Sequence, residues 1–136
     1  MKGLCKGMEN VVKDFTTSDF WKFIGLEIDH YEAGSVRLKL PIKPSFHNIQ
    51  HIVHGGIFAS ILDTSMGMTL RSTGYDVVTT LDMDIHFLNP AKEGTIYCTG
   101  EVIHHGRSTA LVKAELVNED DEILAYSTGT FRAVKK

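Results

Sequence analysis

The sequence is short of cysteine and has no excess of basic charge. Its 136 residues include 14 Lys and Arg against 17 Asp and Glu, which gives a net charge of −3. It therefore lacks the cationic field with which nucleic-acid-binding proteins neutralise phosphates, and we expect no nucleic-acid partner. The two cysteines, Cys5 and Cys98, have no CxxC spacing and no secretory framework around them, which predicts free thiols in a reducing compartment.

Long apolar runs are also missing. Residues 1–15 mix charged and amide side chains with single apolar ones and so lack the apolar region of a signal peptide. No other stretch approaches the ~18 uncharged apolar residues that a membrane span requires. These absences predict a cytoplasmic protein with no membrane partner. Without repeats, low-complexity runs or a linker, we expect one domain over residues 1–136, with residues 1–18 as an N-terminal extension.

Local patterns predict an α+β fold with one long helix and an antiparallel sheet of about five to six strands. Residues 54–72 form the long helical segment, and residues 19–24 form a short helix that Thr17 or Ser18 can cap. Strands are predicted at residues 26–28, 36–40, 77–87, 95–103, 108–117 and 123–133. Short connections predict that the last four strands form a meander, with the long helix covering its apolar face.

The strand predicted at residues 77–87 alternates with a period of two. One face carries Val77, Thr79, Leu81, Met83, Ile85 and Phe87, and the other carries Val78, Thr80, Asp82, Asp84 and His86. This alternation is typical of a strand with one buried face, and Asn89-Pro90 ends it.

The long helix does not have the pattern of a surface helix. At 100° per residue, its apolar side chains cover more than half of the circumference, and the remaining arc holds Gly56, Ser60, Asp63, Thr64 and Gly67. With histidines neutral, Asp63 is the only charged residue in the 27 residues between Lys43 and Arg71. A carboxylate this isolated needs a functional reason or a buried partner. We predict that it faces a ligand or a partner subunit, and a structural ion pair or hydrogen bond across a dimer interface explains it equally well.

The glycine pair at the start of the helix, in His54-Gly55-Gly56, also has two interpretations. Glycines before a helix often only form a turn. Alternatively, the first backbone N–H groups of a helix lack intrahelical acceptors and lie at its positive end, where they can polarise a carbonyl or hold an oxyanion. Gly55 and Gly56 would let a substrate approach these amides without obstruction by a Cβ.

Three groups of residues with fixed spacing then carry a family resemblance. They are Asn48, His54, Gly55, Gly56 and Asp63; the run at residues 80–85 that leads to Asn89-Pro90; and the run GRSTA at residues 106–110. Together, over residues 20–133, they resemble the hot-dog-fold acyl-CoA thioesterases of the phenylacetate-degradation (PaaI-like) type. The resemblance implies a long helix wrapped by an antiparallel sheet, an acyl-CoA substrate, and no metal or redox cofactor. It also implies a homodimer, commonly paired into a dimer of dimers, with two active sites at each dimer interface.

The resemblance assigns catalytic roles residue by residue. It gives Gly55 the backbone N–H that polarises the thioester carbonyl, and it gives Asn48 a role in holding the substrate or its loop. Asp63, from the other subunit, becomes the nucleophile or the general base on water. Thr80 stands where a hydroxyl on the next strand assists the carboxylate. His54 either orients its loop or touches the substrate.

The remaining expectations concern substrate binding. Gly56 and Thr64 border the predicted site on the helix. Arg107 and Ser108 stand, by resemblance, where the CoA phosphates tend to lie, although an arginine that opens a strand is often only a solvated charge. Lys92 is a weaker phosphate candidate. Because a thioester carbonyl is already electrophilic, one carboxylate and one or two aligned N–H donors form a sufficient apparatus.

Other functions are weighed against this one. No G-x-S-x-G sequence is present, which argues against an α/β-hydrolase solution. An acyl-thioester hydratase or dehydratase on the same fold would pair His54 with Asp63, and a non-catalytic acyl-CoA-binding module would keep the fold without the reaction. His47, His51 and His54 have spacings that could share a metal ion, but no cysteine or acidic residue lies nearby to complete the ligand set, so we predict no metal site.

Overall fold

A computed structural model describes residues 6–136 and places them in three α-helices and a six-stranded antiparallel sheet. Cys5, expected to be a free thiol, lies outside the described residues. The elements in chain order are α1 (Lys6–Thr16), α2 (Asp19–Ile24), β1 (Glu27–Glu32), β2 (Ser35–Pro41), α3 (Gly55–Arg71), β3 (Val77–Phe87), β4 (Thr95–His105), β5 (Thr109–Val117) and β6 (Ile123–Val134). The predicted α+β class, the strand number and the single long helix are thereby confirmed.

The two predicted helices have the expected ends. At α2, the Ser18 hydroxyl accepts a hydrogen bond from the Trp21 N–H, and Gly25 ends the helix in a left-handed conformation. Helix α1 was not predicted, and it covers most of the segment expected to be only an extension. Its Val11 is buried in the core, and its Asp14 forms an ion pair of 2.7 Å with Arg71 at the end of α3.

The sheet has the strand order β1-β2-β4-β5-β6-β3. The predicted meander is therefore wrong in one place, because β3 pairs with β6 and β4 pairs with β2. The reason lies in residues 88–94. Their backbone forms hydrogen bonds in turn with the start of β6, with the loop before α3 and with the residue that follows β2. The N–H groups of Leu88, Val53 and Ile42 donate to the carbonyls of Leu124, Ala91 and Gly94. This segment crosses the end of the sheet instead of forming a hairpin.

A bulge changes the phase of β3 between Thr80 and Asp82. Before the bulge, Val78 and Thr80 face α3; after it, Met83, Ile85 and Phe87 do. The predicted face is therefore wrong for residues 77–81, since one extra residue in a strand reverses the side on which every preceding side chain lies. The bulge turns the Thr80 hydroxyl towards the helix.

Helix α3 crosses the concave face of the sheet at short range. Ser65 donates a hydrogen bond of 3.3 Å to the Cys98 carbonyl on β4, and Gly100 on β4 leaves the space that the helix occupies. A Cβ at position 100 would lie 2.9 Å from the Ser65 carbonyl oxygen. Gly67, expected on the unpacked arc of α3, is instead buried against Val78 and Phe131, because the sheet wraps further round the helix than the apolar pattern indicated. No helix in the described part of the chain is long and apolar enough to cross a membrane.

Cys98 is expected to be chemically inert in the native protein. Burial raises the pKa of its thiol to about 12, so the reactive thiolate is scarce at neutral pH. In a Cys5→Ser variant, we expect Ellman's reagent to label no thiol before unfolding and one thiol per chain in guanidinium. Rapid labelling of the native variant would contradict the placement of Cys98 in the core.

Candidate active site

The carboxylate of Asp63 is half-buried on α3 and meets a hydroxyl of β3. Thr80 Oγ1 donates a hydrogen bond of 2.6 Å to Asp63 Oδ1. The ion pairs found within residues 6–136 involve other carboxylates. Among the described residues, Asp63 is therefore held by a neutral hydroxyl donor and forms no ion pair. Its other oxygen, Oδ2, accepts no hydrogen bond from these residues.

The start of α3 is capped by the histidine that precedes it. His54 Nδ1 accepts the Gly56 N–H at 2.7 Å, and the His54 carbonyl accepts the Ile57 N–H at 2.9 Å. The N–H of Gly55 has no acceptor among the described residues, and it lies at the positive end of the helix dipole. Of the two glycine amides, Gly55 therefore offers the free donor.

The loop before the helix is built on Asn48. Its Oδ1 accepts hydrogen bonds from the Gln50 N–H at 2.9 Å and the Ile52 N–H at 3.4 Å, and its own N–H donates to the Ile52 carbonyl at 2.8 Å. These bonds form a closed turn in which His51 takes a left-handed conformation, with φ of 61°. Asn48 thus holds together the loop that leads to Gly55.

An apolar groove opens beside Gly55. It has a volume of about 290 Å³ and is lined by Asn48, Ile52, Val53, Gly55, Phe58, Phe87, Leu88, Asn89 and Pro90. The aromatic rings of Phe58 and Phe87 are stacked, with centroids 6.4 Å apart and planes 20° apart. No charged side chain lines this groove. Phe87 was predicted only as a strand residue, and its contact with the helix start arises because β3 runs past that end of α3.

One chain does not bring Asp63 and Gly55 together. The two residues are eight positions apart on the same helix. That separation is about 12 Å along the axis and is too far for one carbonyl group to meet both. Asp63 does not line the groove beside Gly55. Thr64 lies half-buried next to Asp63 on the helix.

A second cavity contains the residues predicted to hold phosphates. Its volume is about 460 Å³, and its lining includes Arg107, Ser108, Tyr75, Arg132 and Lys135. Arg132 and Lys135 were missed by the sequence interpretation, because only the pairing of β6 with β5, Thr109 opposite Arg132, brings them beside Arg107. Three cations thus line one cavity. Lys92 does not line either cavity.

Two of the three histidines before α3 have other side-chain partners. His47 Nε2 lies 2.7 Å from the Lys92 carbonyl oxygen, and His54 Nδ1 is occupied by the Gly56 N–H. In the described part of the chain, no three His, Cys, Asp or Glu side chains converge on a possible metal position.

Comparison with known proteins gives a consistent picture. The family described as the thioesterase superfamily matches residues 50–125. Medium/long-chain acyl-CoA thioesterase YigI of Salmonella typhimurium is 26% identical over 129 residues, covering 82% of this chain and 83% of the relative.

Solved structures confirm the expected hot-dog fold. The Escherichia coli PaaI protein, from the phenylacetic acid degradation operon, superposes with a TM-score of 0.88 at 24% identity, covering 95% of this chain and 94% of that one. The Streptococcus mutans protein smu.793, in a crystal structure bound to acetyl CoA, has a TM-score of 0.77 at 28% identity, covering 82% of this chain and 90% of that one.

Substitutions at His54 separate loop support from substrate contact. We expect His54→Ala to lower the free energy of unfolding by about 1 kcal/mol through loss of the helix cap, as measured in denaturant. In His54→Asn, the Oδ1 atom replaces Nδ1 at the same number of bonds from the backbone, so we expect both stability and catalytic activity to be retained. A His54→Asn protein that is as stable as the wild type but inactive would instead show that the imidazole touches the substrate.

Proposed function

The chain belongs to the thioesterase superfamily, and from that membership we propose that it hydrolyses an acyl- or aryl-CoA thioester to the free acid and CoA. The observation that carries the proposal is the unpaired Asp63 carboxylate, held by Thr80 on a helix with no other charge before Arg71. The relatives support the substrate class, since YigI is named for acyl-CoA hydrolysis and smu.793 was crystallised with acetyl CoA.

The proposed reaction begins with the thioester carbonyl oxygen accepting the Gly55 N–H. This donor stabilises the negative charge that develops on the oxygen as the carbonyl carbon becomes tetrahedral. Asp63 Oδ2 then either attacks the carbonyl carbon or takes a proton from a water molecule that attacks it. In both routes the C–S bond breaks and CoA leaves as the thiolate, which takes up a proton. In the first route, water hydrolyses the resulting anhydride.

Thr80 and Asn48 position the reacting groups in this scheme. The Thr80 hydroxyl occupies Asp63 Oδ1 and thereby fixes the orientation of Oδ2. Asn48 and the His54 cap fix the backbone that presents the Gly55 N–H. Gly56 and Thr64 complete the proposed substrate contacts at the helix, and the missing Cβ of Gly56 lets the His54 ring pack against the helix start, since a Cβ there would lie 3.0 Å from His54 Nδ1.

We place the CoA phosphates in the cavity that Arg107 and Ser108 share with Arg132 and Lys135. Charge supports this placement, because the chain is acidic overall and three cations at one cavity concentrate positive potential there. Arginine also suits phosphate because its planar guanidinium can donate two parallel hydrogen bonds.

The complete site requires two chains in this proposal. Since Gly55 and Asp63 of one helix are about 12 Å apart, the carboxylate that meets a carbonyl at Gly55 comes from a second copy. The edge strand β3 supplies a suitable surface. It is eleven residues long, and Val77 and Leu81 are 40% and 57% exposed. Long apolar edges of this kind are normally covered. We therefore infer a homodimer, and a dimer of dimers as its further assembly, with the whole chain acting as one thioesterase domain.

Removal of the Asp63 carboxylate tests the proposed chemistry. We expect Asp63→Asn to keep the fold and the oligomeric state while thiol release from acyl-CoA falls by about two to four orders of magnitude. Asp120→Asn, in an exposed turn, is the matched control and is expected to match the wild type. Wild-type turnover by Asp63→Asn would make Asp63 structural. An enzyme that alters the acyl group but leaves the thioester intact would be a hydratase.

Mixed dimers test whether the site is shared between chains. Asp63→Asn and Gly55→Val are each expected to inactivate the homodimer, since a side chain at position 55 meets Phe87. A mixed dimer holds one site with both native residues and one site with both changes. Random pairing makes about half of the dimers mixed, and half of their sites are native, so about a quarter of the wild-type rate should be restored. Pairing Asp63→Asn with Asp63→Ala is the control and should restore none. If the first mixture also restores none, Asp63 and Gly55 do not act across the dimer.

A further inference from the structure

Phe87 lies directly against the glycine that is proposed to bind the carbonyl. A Cβ built on Gly55 would be 3.3 Å from Phe87 Cε1. On its other side, the Phe87 ring is supported by Phe58, which is only 3% exposed and cannot yield without disturbing the core. Phe87 itself is 57% exposed. Its ring is thus backed by a rigid neighbour and presents a large open surface.

The position of this ring decides what lies next to a bound carbonyl. A carbonyl oxygen that accepts the Gly55 N–H lies about 3 Å from the nitrogen. The first carbons of the acyl chain then come within van der Waals distance of the atoms that contact Gly55. The side chain that contacts Gly55 is Phe87. The volume available to these acyl carbons is therefore limited by an aromatic ring.

The rest of the groove is mostly apolar, with Asn48 and Asn89 as its polar residues. Ile52, Val53, Leu88 and Pro90 extend it away from Gly55, and no charged side chain lines it. A carboxylate or ammonium group at the end of an acyl chain would lose its hydration there without gaining a partner. A straight hydrocarbon chain would gain from burial at every carbon that the groove covers.

We propose that Phe87 determines acyl selectivity, by admitting unbranched, uncharged acyl chains and excluding those branched next to the carbonyl. This inference rests on the proposed thioesterase function and adds the substrate class to it. Each added methylene raises kcat/KM about fourfold until the chain passes the end of the groove. A methyl branch on the carbon next to the carbonyl lowers it at least about tenfold, because the branch collides with the Phe87 ring.

The test compares two isomers with six acyl carbons, hexanoyl-CoA and 2-methylpentanoyl-CoA. In Phe87→Ala, the ratio of kcat/KM for the linear over the branched substrate is expected to fall about tenfold, with a smaller fall in Phe87→Leu. Phe23→Ala, an equal change at a 78% exposed phenylalanine on α2, is the control and keeps the wild-type ratio. Thermal unfolding checks that each variant is folded, and Phe87→Leu carries the test if Phe87→Ala is not.

A binding measurement separates this inference from the proposed function. Calorimetry with the Asp63→Asn protein measures the affinities of the same two acyl-CoAs, with and without Phe87→Leu, in the absence of turnover. A linear preference that depends on Phe87 supports the inference even if the wild type releases no thiol, in which case only the proposed hydrolysis is wrong. If the wild type hydrolyses both substrates and the Phe87 variants keep its ratio, the selectivity assignment alone is overturned. If neither acyl-CoA binds, both proposals fail.

Discussion

The hydrogen bond from Thr80 to Asp63 links the one charged side chain that α3 carries before Arg71 to the edge of the sheet. It forms because the bulge in β3 turns the Thr80 hydroxyl inward, whereas regular alternation with Met83 and Ile85, which follow the bulge, would point it outward. Bulges often redirect a side chain next to a functional site. This one brings a neutral hydroxyl, and not a cation, to the carboxylate. The carboxylate therefore forms no ion pair with residues 6–136, and the proposed mechanism uses its second oxygen.

The other half of the site depends on backbone geometry at the start of α3. His54 takes up the Gly56 amide, Asn48 closes the preceding turn, and the Gly55 N–H is left as a donor at the positive end of the helix. Side chains here serve mainly to hold main-chain atoms in place. Because a helix is rigid, the distance between Gly55 and Asp63 is fixed, and for this reason the proposed mechanism takes the carboxylate from a second chain.

Close packing between α3 and the sheet holds both parts of the candidate site in fixed positions. Gly100 and Gly129 lack the Cβ atoms that would push the helix away from the sheet, and a Cβ at Gly129 would lie 3.1 Å from Met66 Cε on α3. Ser65 bonds to the Cys98 carbonyl across the contact, so the polar atoms in this narrow space are satisfied. The candidate residues thus lie on closely packed elements, which is the arrangement that positioned catalysis requires.

The sequence by itself determined the local elements and the chemistry-bearing residues. The glycine pair, the apolar arc and Arg71 marked α3 to within one residue at each end, because caps and periodicity are local properties. The isolation of Asp63, together with the family resemblance carried by Asn48, His54 and Gly55, predicted the candidate site. Only the tertiary structure decided that β3 pairs with β6, that a bulge reverses part of its face, and that Phe87 lies over Gly55. It also brought Arg132 beside Arg107. These features depend on strand pairing between distant segments, where a single inserted residue changes which side chains meet and leaves no periodic signal of its own.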